Sequence, residues 1–133
     1  MSKNFRVVVD TGVVVSALWS VDGNPACVVK LIPNEIVPHI NDVILAEYKE
    51  VLDRPKFDFS EQKKLAFLSK IEEFGVHFIP TESSVPFLYE SDRIFYDTAK
   101  ESGSILITGN TKHFPNEPFV MTPAEFINMY SDA

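Results

Sequence analysis

The fold of this chain follows from residues 5–10, which read FRVVVD. An unbroken β-branched run of this kind is typical of a strand buried on both faces, as in a parallel sheet. Asp10 stands directly after the run, at the carboxyl end of the predicted strand. A carboxylate there is costly unless it is paired, hydrogen-bonded or bound to a metal. Asp10 is therefore the first candidate functional residue, and a cap for the next helix, helped by Thr11, is the alternative.

Predicted helices and strands alternate along the chain after this stretch. Strands are predicted at residues 35–40, 76–79, 104–107 and 119–121, and helices at 11–19, 25–31, 42–53, 61–74, 92–102 and 123–130. Such alternation implies βαβ units. We therefore expect an α/β fold with three α/β/α layers around a central, mainly parallel sheet. In sheets of this kind the functional crevice lies at the carboxyl ends of the strands.

Two predicted helices have an apolar face that the sequence defines. Asn41 is placed to cap the helix at 42–53, whose apolar stripe runs from Ile44 to Leu52. At 100° per residue, Glu47 lies about 100° from the centre of that stripe and Glu50 about 160°. Glu47 can therefore reach over the edge of the sheet, although a partly exposed surface glutamate is the alternative. For the helix at 61–74, the spacing predicts an inward face formed by Leu65, Leu68, Ile71 and Phe74.

Length and composition indicate one small domain over residues 1–133 with a net charge of −7. This charge argues against a protein that coats nucleic acid by general electrostatics, because the phosphate backbone attracts basic surfaces. It does not exclude a metal-dependent nuclease, since bound divalent ions offset a cluster of acids. No apolar run is long enough to span a bilayer and no signal sequence is visible, so we expect a cytoplasmic protein.

Two further acids and a second strand end join Asp10 as candidates. The buried strand at 104–107 ends in Thr108-Gly109-Asn110, which again places small polar groups at the carboxyl edge, although an ordinary turn is the alternative. Asp92 falls in the first turn of a helix, where a carboxylate is favoured by the helix dipole. Asp97 lies about 140° around that helix from Asp92, so both cannot face one site. We expect Asp97 to support the site from behind or to face solvent.

Other common site chemistries do not fit this sequence. The single cysteine, Cys27, has no base nearby in sequence, and the three histidines lack zinc-ligand spacing. The sequence has no nucleophile elbow, dinucleotide fingerprint or P-loop. A phosphatase-type pair of aspartates on the first strand would need an acid at position 12, where this chain has Gly12.

Four motifs in order resemble the PIN-domain family, small metal-dependent ribonucleases that include the toxins of VapBC-type toxin–antitoxin pairs. The motifs are VVDTGVVVSA at 8–17, AEYKEVL at 46–52 followed by Arg54-Pro55-Lys56, SDRIFYDTA at 91–99, and LITGNTKHF at 106–114. Each motif is weak alone, but together they stand on the elements that the family requires. The best match is to the branch described as toxin components.

The resemblance implies a role for each matched residue. Asp10, Glu47 and Asp92 would bind the metal, and Asn110 would stand where many members carry a fourth acid. Ser16 and Thr108 would line the site, with Thr11 and Asp97 behind it. Two departures weaken the match: Gly12 replaces a frequent asparagine, and Asn110 carries no charge, although its amide oxygen can still ligate Mg²⁺.

The resemblance also implies hydrolysis of RNA phosphodiester bonds with one or two Mg²⁺ or Mn²⁺ ions. Lys112 and His113 either touch phosphate or form a solvated loop. A small antitoxin and a second copy of the chain would be partners, docking on aromatic residues near loops and helix ends, although burial is the commoner fate of aromatics. These aromatics are Trp19, Phe57, Phe59 and Phe87.

Two other functions stay open at this point. The departures at Gly12 and Asn110 are compatible with a degenerate PIN domain that acts as a binding or scaffolding module. A DNA-directed, structure-specific nuclease is disfavoured by the small size and the lack of a basic surface. Binding of Mg²⁺ or Mn²⁺ discriminates the scaffold from the enzyme, because only an intact site is stabilised by the metal.

Overall fold

The computed structural model describes residues 4–132 as a parallel sheet between helices. The five strands are β1 (Phe5–Val9), β2 (Ile36–Ile40), β3 (Val76–His77), β4 (Ile105–Ile107) and β5 (Val120–Met121). The six α-helices are α1 (Thr11–Trp19), α2 (Asn24–Lys30), α3 (Asp42–Leu52), α4 (Glu61–Phe74), α5 (Arg93–Ser102) and α6 (Pro123–Asp132). Short 3₁₀ turns lie at Glu90–Asp92 and Thr111–His113. The three-layer α/β/α prediction is confirmed.

The strand order in the sheet is β3-β2-β1-β4-β5, and every strand pair within residues 4–132 is parallel. The central strand β1 pairs with β2 on one side and with β4 on the other, so that Val9 lies opposite Ile107. The chain order reverses between β1 and β4. Parallel sheets open a crevice at such a reversal, at the carboxyl ends of the two strands. Asp10 and Thr108 each follow one of them.

The core explains why β1 is an unbroken apolar run. Val7, Val8 and Val9 are fully buried because helices cover both faces of the sheet. Phe95 and Ala99 of α5 are also buried, and α5 contacts both β1 and β4. This packing fixes the start of α5 against the carboxyl edge of the sheet.

The predicted helix caps are present. Asn41 accepts a hydrogen bond from the backbone N–H of Ile44, and Ser60 accepts one from Lys63. The backbone N–H of Thr122 donates to Glu125 while the Thr122 hydroxyl accepts from the Glu125 N–H, which forms a reciprocal capping box. Local sequence therefore sets where these helices begin.

Two glycines end helices for different reasons. Gly103 has φ of +72°, a left-handed conformation that side chains disfavour, and it ends α5 as predicted. Gly75 ends α4 with an ordinary φ of −74°. A Cβ at Gly75 would lie 2.5 Å from both the Ile40 side chain and the Ile71 carbonyl oxygen. Gly75 is needed there because β2 and α4 approach closely.

The predicted inward face of α4 is wrong in two positions. Leu65 and Phe74 are 57% and 40% exposed, and the buried residues are Lys64, Phe67 and Ile71. Lys64 takes an inward position because its aliphatic stem packs while its ammonium pairs with Asp53 at 2.7 Å and Glu61 at 2.6 Å. A polarity pattern does not detect a lysine that is buried in this way.

No single helix within residues 4–132 is long and apolar enough to cross a bilayer. Among these residues, only the helices α1 and α2 taken together have the length and composition of a membrane span, and the pair is bent by 99° at the break between them. Most of the apolar residues of this pair belong to the hydrophobic core, including Val13, Val14 and Val28.

Candidate active site

Asp10 is buried at the carboxyl end of β1, and both of its carboxylate oxygens accept hydrogen bonds. Oδ1 accepts from the backbone N–H of Thr11 at 2.9 Å, and Oδ2 accepts from the Thr108 hydroxyl at 2.7 Å. Asp10 is therefore the cap of α1 and also a carboxylate at the crevice, so the two interpretations do not compete. Thr108 links the ends of β1 and β4, because its hydroxyl also accepts from the Asn110 N–H at 3.0 Å.

Glu47 reaches the same edge from α3 and is half-buried. The Thr11 hydroxyl donates a hydrogen bond to Glu47 Oε2. The next residue, Tyr48, donates from its hydroxyl to the carbonyl oxygen of Val9 at 2.5 Å. Two hydrogen bonds thus tie α3 to the segment that holds Asp10. The predicted flank position of Glu47 places it over the sheet edge, whereas Glu50 is exposed and pairs with Arg54.

Asp92 completes the group from the start of α5. It ends the 3₁₀ turn at Glu90–Asp92, and its backbone N–H donates to the Tyr89 carbonyl oxygen at 3.0 Å. Its Oδ2 atom is buried and has no hydrogen-bond partner. The Nδ1 atom of the His113 ring lies 3.7 Å from this oxygen. A buried carboxylate oxygen without a partner is unusual and requires an explanation, such as an ion.

Burial raises the pKa values of the three carboxylates, and electrostatic repulsion between the carboxylates adds to this for two of them. Burial, followed by the charge of Asp10, raises the pKa of Asp92 to about 6. Burial is also the main reason that the pKa of Glu47 is raised, and the charge of Asp10 adds to it. Burial raises the pKa of Asp10 despite the hydrogen bonds from Thr108 and Thr11. A cluster that resists ionisation in this way is typical of a functional site.

The donor set suits a hard divalent cation, because Asp10, Glu47 and Asp92 all offer carboxylate oxygens and one oxygen of Asp92 has no other partner. Within residues 4–132, no group of three histidine, cysteine or acidic side chains has converged on one point where an ion would sit. The three acids are nevertheless close enough for their charges to interact.

The predicted lining residues Ser16 and Asn110 face a separate groove of about 520 Å³ beside the carboxylates. Both are exposed, and none of the residues that line this groove is acidic. Gly12 also lines it, and a Cβ at Gly12 would meet nothing within 4 Å. Packing around the Cβ position therefore does not require glycine at position 12.

Asp97 is expected from the sequence either to support the site from behind or to face solvent. It does not face solvent. It is buried, and its Oδ2 accepts from the backbone N–H of Ser83 at 2.9 Å. Arg93, which the sequence did not single out, donates to the Ser83 carbonyl oxygen at 2.6 Å and forms two bonds with Glu90. Asp97 and Arg93 together clamp the loop at 81–89, which leads into Asp92.

Asn41 is a second residue whose wider role the sequence did not indicate. Besides capping α3, its amide donates to the Phe78 carbonyl oxygen at 3.1 Å and to the Thr98 hydroxyl at 3.0 Å. It therefore joins the helix of Glu47 to the helix that follows Asp92. Only the cap is visible in local sequence, because Phe78 and Thr98 are 37 and 57 residues away.

We predict that Asp92→Asn stabilises the metal-free protein relative to wild type as pH rises. The folded-state pKa of about 6 is above the ordinary value of 3.8, so stability from the protonated carboxyl is present below pH 3.8 and is lost as pH rises through 6. Asparagine does not ionise and avoids this loss. The difference in melting temperature between variant and wild type should grow between about pH 4 and pH 7. A difference that stays constant over this range would contradict the raised pKa.

Comparison with known proteins identifies the family. A family model described as PIN domain matches residues 6–112, which covers β1 through β4 and all three acids. No curated protein matches the sequence significantly. PIN domains are typically nucleases and generally depend on divalent metal ions. The chain belongs to the PIN-domain family.

Proposed function

We propose that this PIN domain is a Mg²⁺- or Mn²⁺-dependent endoribonuclease that hydrolyses RNA phosphodiester bonds. One observation carries the proposal: Asp10, Glu47 and Asp92 lie at the β1–β4 crevice, close enough that the charge of Asp10 adds to burial in raising the pKa of the other two. The unpartnered Oδ2 of Asp92 supports it further. Three carboxylates in one place repel a phosphodiester unless a cation intervenes, so the arrangement is suited to metal-assisted phosphoryl chemistry.

In the proposed reaction, Asp10, Glu47 and Asp92 hold the metal. When bound, the metal supplies Lewis-acid activation of water and of the phosphate. The chain fixes the acids beforehand: Thr11 and Thr108 orient the Asp10 carboxylate, and the Thr11 hydroxyl orients Glu47. Orientation by such neighbouring groups keeps the ligand oxygens directed at the crevice.

Substrate contact is expected to be local because the chain carries a net charge of −7. The cationic candidates beside the acids are Lys112, which is exposed, and His113, which lies against Asp92. Asn110 and Ser16 line the neighbouring groove, where amide and hydroxyl groups can hydrogen-bond to a sugar or phosphate. These four residues are proposed to position the RNA, and Asn110 to assist the metal ligands from the end of β4.

We further propose that the protein is the cytoplasmic toxin of a toxin–antitoxin pair, bound by a small antitoxin and able to form a homodimer. Trp19, at the end of α1, is 61% exposed and makes edge-to-face contacts with Phe57 and Phe59. An exposed aromatic group of this kind is suited to a protein partner. Phe87 does not belong to this exposed aromatic group, because its ring packs edge-to-face on Tyr96 and Phe114.

The proposal is tested by metal titration with two readouts. Mg²⁺ or Mn²⁺ should raise the melting temperature, since an ion that binds only the folded state stabilises it by mass action, about 2.7 kcal/mol at 100 times its dissociation constant. The same ions should switch on cleavage of RNA in a panel of single-stranded and structured transcripts, with the matching DNA panel as the control. Cleavage is followed by gel electrophoresis of end-labelled substrate.

The scaffold alternative makes the opposite prediction. A degenerate domain would show no metal-dependent rise in melting temperature and no cleavage of any transcript. Cleavage of the DNA panel alone would instead favour a DNA-directed nuclease. Either result would refute the endoribonuclease proposal while leaving the family and the fold unchanged.

A further inference from the structure

An exposed aromatic ring stands at the edge of the carboxylate site. Tyr89 is 52% exposed and directly precedes the 3₁₀ turn that ends at Asp92. Its ring centroid lies 5.1 Å from that of His113, with an interplanar angle of 49°. The His113 ring also lies near Asp92, with Nδ1 at 3.7 Å from Oδ2. Tyr89, His113 and Asp92 thus form a continuous row from solvent to the acids.

The backbone of Tyr89 is held in place although its ring is exposed. Its carbonyl oxygen accepts the N–H of Asp92 at 3.0 Å, and Arg93 pairs with Glu90 on the next residue. Upstream, Arg93 and Asp97 clamp Ser83 of the same loop. An exposed aromatic ring on a fixed backbone loses little entropy when it binds a flat ligand.

We propose that Tyr89, backed by His113, is a stacking platform for an unpaired nucleobase next to the bond that is cleaved. This inference rests on the proposed nuclease function. Stacking suits this chain because a base is uncharged and is not repelled by the acids or by the net charge of −7. Every base has a π-face, so the platform selects unpaired strands and not a particular sequence.

One cationic residue adjoins the proposed platform in sequence. Lys112 is exposed beside His113 in the 3₁₀ turn after β4. By contrast, the Arg93 guanidinium is engaged with Glu90 and lies 5.0 Å from the Phe87 ring, so it is committed to the loop.

The test compares Tyr89→Ser with Tyr89→Phe, which keeps the ring. Binding of a fluorescein-labelled single-stranded RNA of about 12 nucleotides is measured by anisotropy with Mg²⁺ in the Asp10→Asn background, and KM and kcat are measured in the otherwise wild-type protein. Tyr89→Ser should weaken binding about 5- to 100-fold and raise KM more than it lowers kcat, whereas Tyr89→Phe should stay within about twofold of wild type. The matched control is Phe74→Ser, an exposed aromatic residue at the end of α4, a helix that carries none of the three acids, and it should leave RNA binding unchanged.

A second arm locates the base. The RNA is made with one base removed at each position in turn. Wild type should lose the most affinity for the RNA that lacks the base next to the cleaved bond. Removing that base should not weaken RNA binding by Tyr89→Ser, because this variant no longer has the ring on which the base would stack. The fully paired duplex of the same RNA should bind more weakly than the single strand.

The outcomes separate this inference from the nuclease proposal. RNA binding unchanged in Tyr89→Ser, or equal binding of duplex and single strand, overturns the stacking platform even if the protein cleaves RNA. If wild type binds single-stranded RNA but cleaves none, the nuclease proposal fails while the Tyr89 comparison still decides the platform. If wild type does not bind RNA at all, both are wrong.

Discussion

Asp10→Asn is expected to lower metal-dependent RNA cleavage about 10³-fold while leaving the fold intact. Losing a metal-ligand carboxylate removes several kcal/mol of transition-state stabilisation, and each 1.36 kcal/mol is about tenfold in rate. Folding should survive because asparagine keeps an acceptor for the Thr11 N–H, and its amide can donate to the Thr108 hydroxyl in place of the present bond. The measurement is single-turnover cleavage under saturating Mg²⁺, together with the melting temperature.

The matched control for Asp10→Asn is Glu50→Gln. It makes the same change from acid to amide on α3, one turn from Glu47, but Glu50 is exposed and pairs with Arg54 on the surface. Its effect on cleavage should stay within about twofold, since exposed ion pairs contribute little. Cleavage by Asp10→Asn at the wild-type rate would remove Asp10 from the metal site. The same pair of variants tests the toxin role, because only Asp10→Asn should abolish growth arrest on expression in a host without the antitoxin.

Asn41→Ala is expected to destabilise the protein by about 2–4 kcal/mol, a large part of the roughly 5–15 kcal/mol that stabilises a domain. The variant loses the cap of α3, worth about 1 kcal/mol, and leaves the partly buried Phe78 carbonyl and the buried Thr98 hydroxyl without the donor they share. The melting temperature should fall by roughly 10 °C. Cleavage should fall as well, because Asn41 holds the helix of Glu47 against the helix that follows Asp92.

Two further variants separate the parts of this effect. Asn41→Ser keeps a capping oxygen but not the amide donors, so its stability should lie between alanine and wild type. Asn116→Ala removes an exposed asparagine in the loop before β5 and should change stability by less than about 0.5 kcal/mol. If Asn41→Ala melted within about 2 °C of wild type, the bonds from Asn41 to Phe78 and Thr98 would not be stabilising.

Local sequence patterns were sufficient for the elements and for their order. The run at residues 5–9 is β1, and Asn41, Ser60 and Gly103 mark helix ends where their chemistry predicts them. These features depend on interactions within a few residues, such as a cap with the third N–H or the period of a strand. The α4 face was wrong for the same reason: a local pattern treats Lys64 as polar, although its neighbours bury the stem and pair the charge.

The sequence by itself determined the α/β class, the parallel sheet, and the presence of Asp10 and Thr108 at strand ends. It also placed Glu47 on the flank of α3 and Asp92 at the start of α5. Only the tertiary structure decided that Asp10, besides capping α1, accepts a hydrogen bond from Thr108 across 98 residues of chain. The unpartnered oxygen of Asp92, the clamp by Asp97 and the Tyr89–His113 row likewise arise where distant segments meet. Contacts of this kind depend on how helices and loops pack around the sheet edge, which no local period or cap encodes.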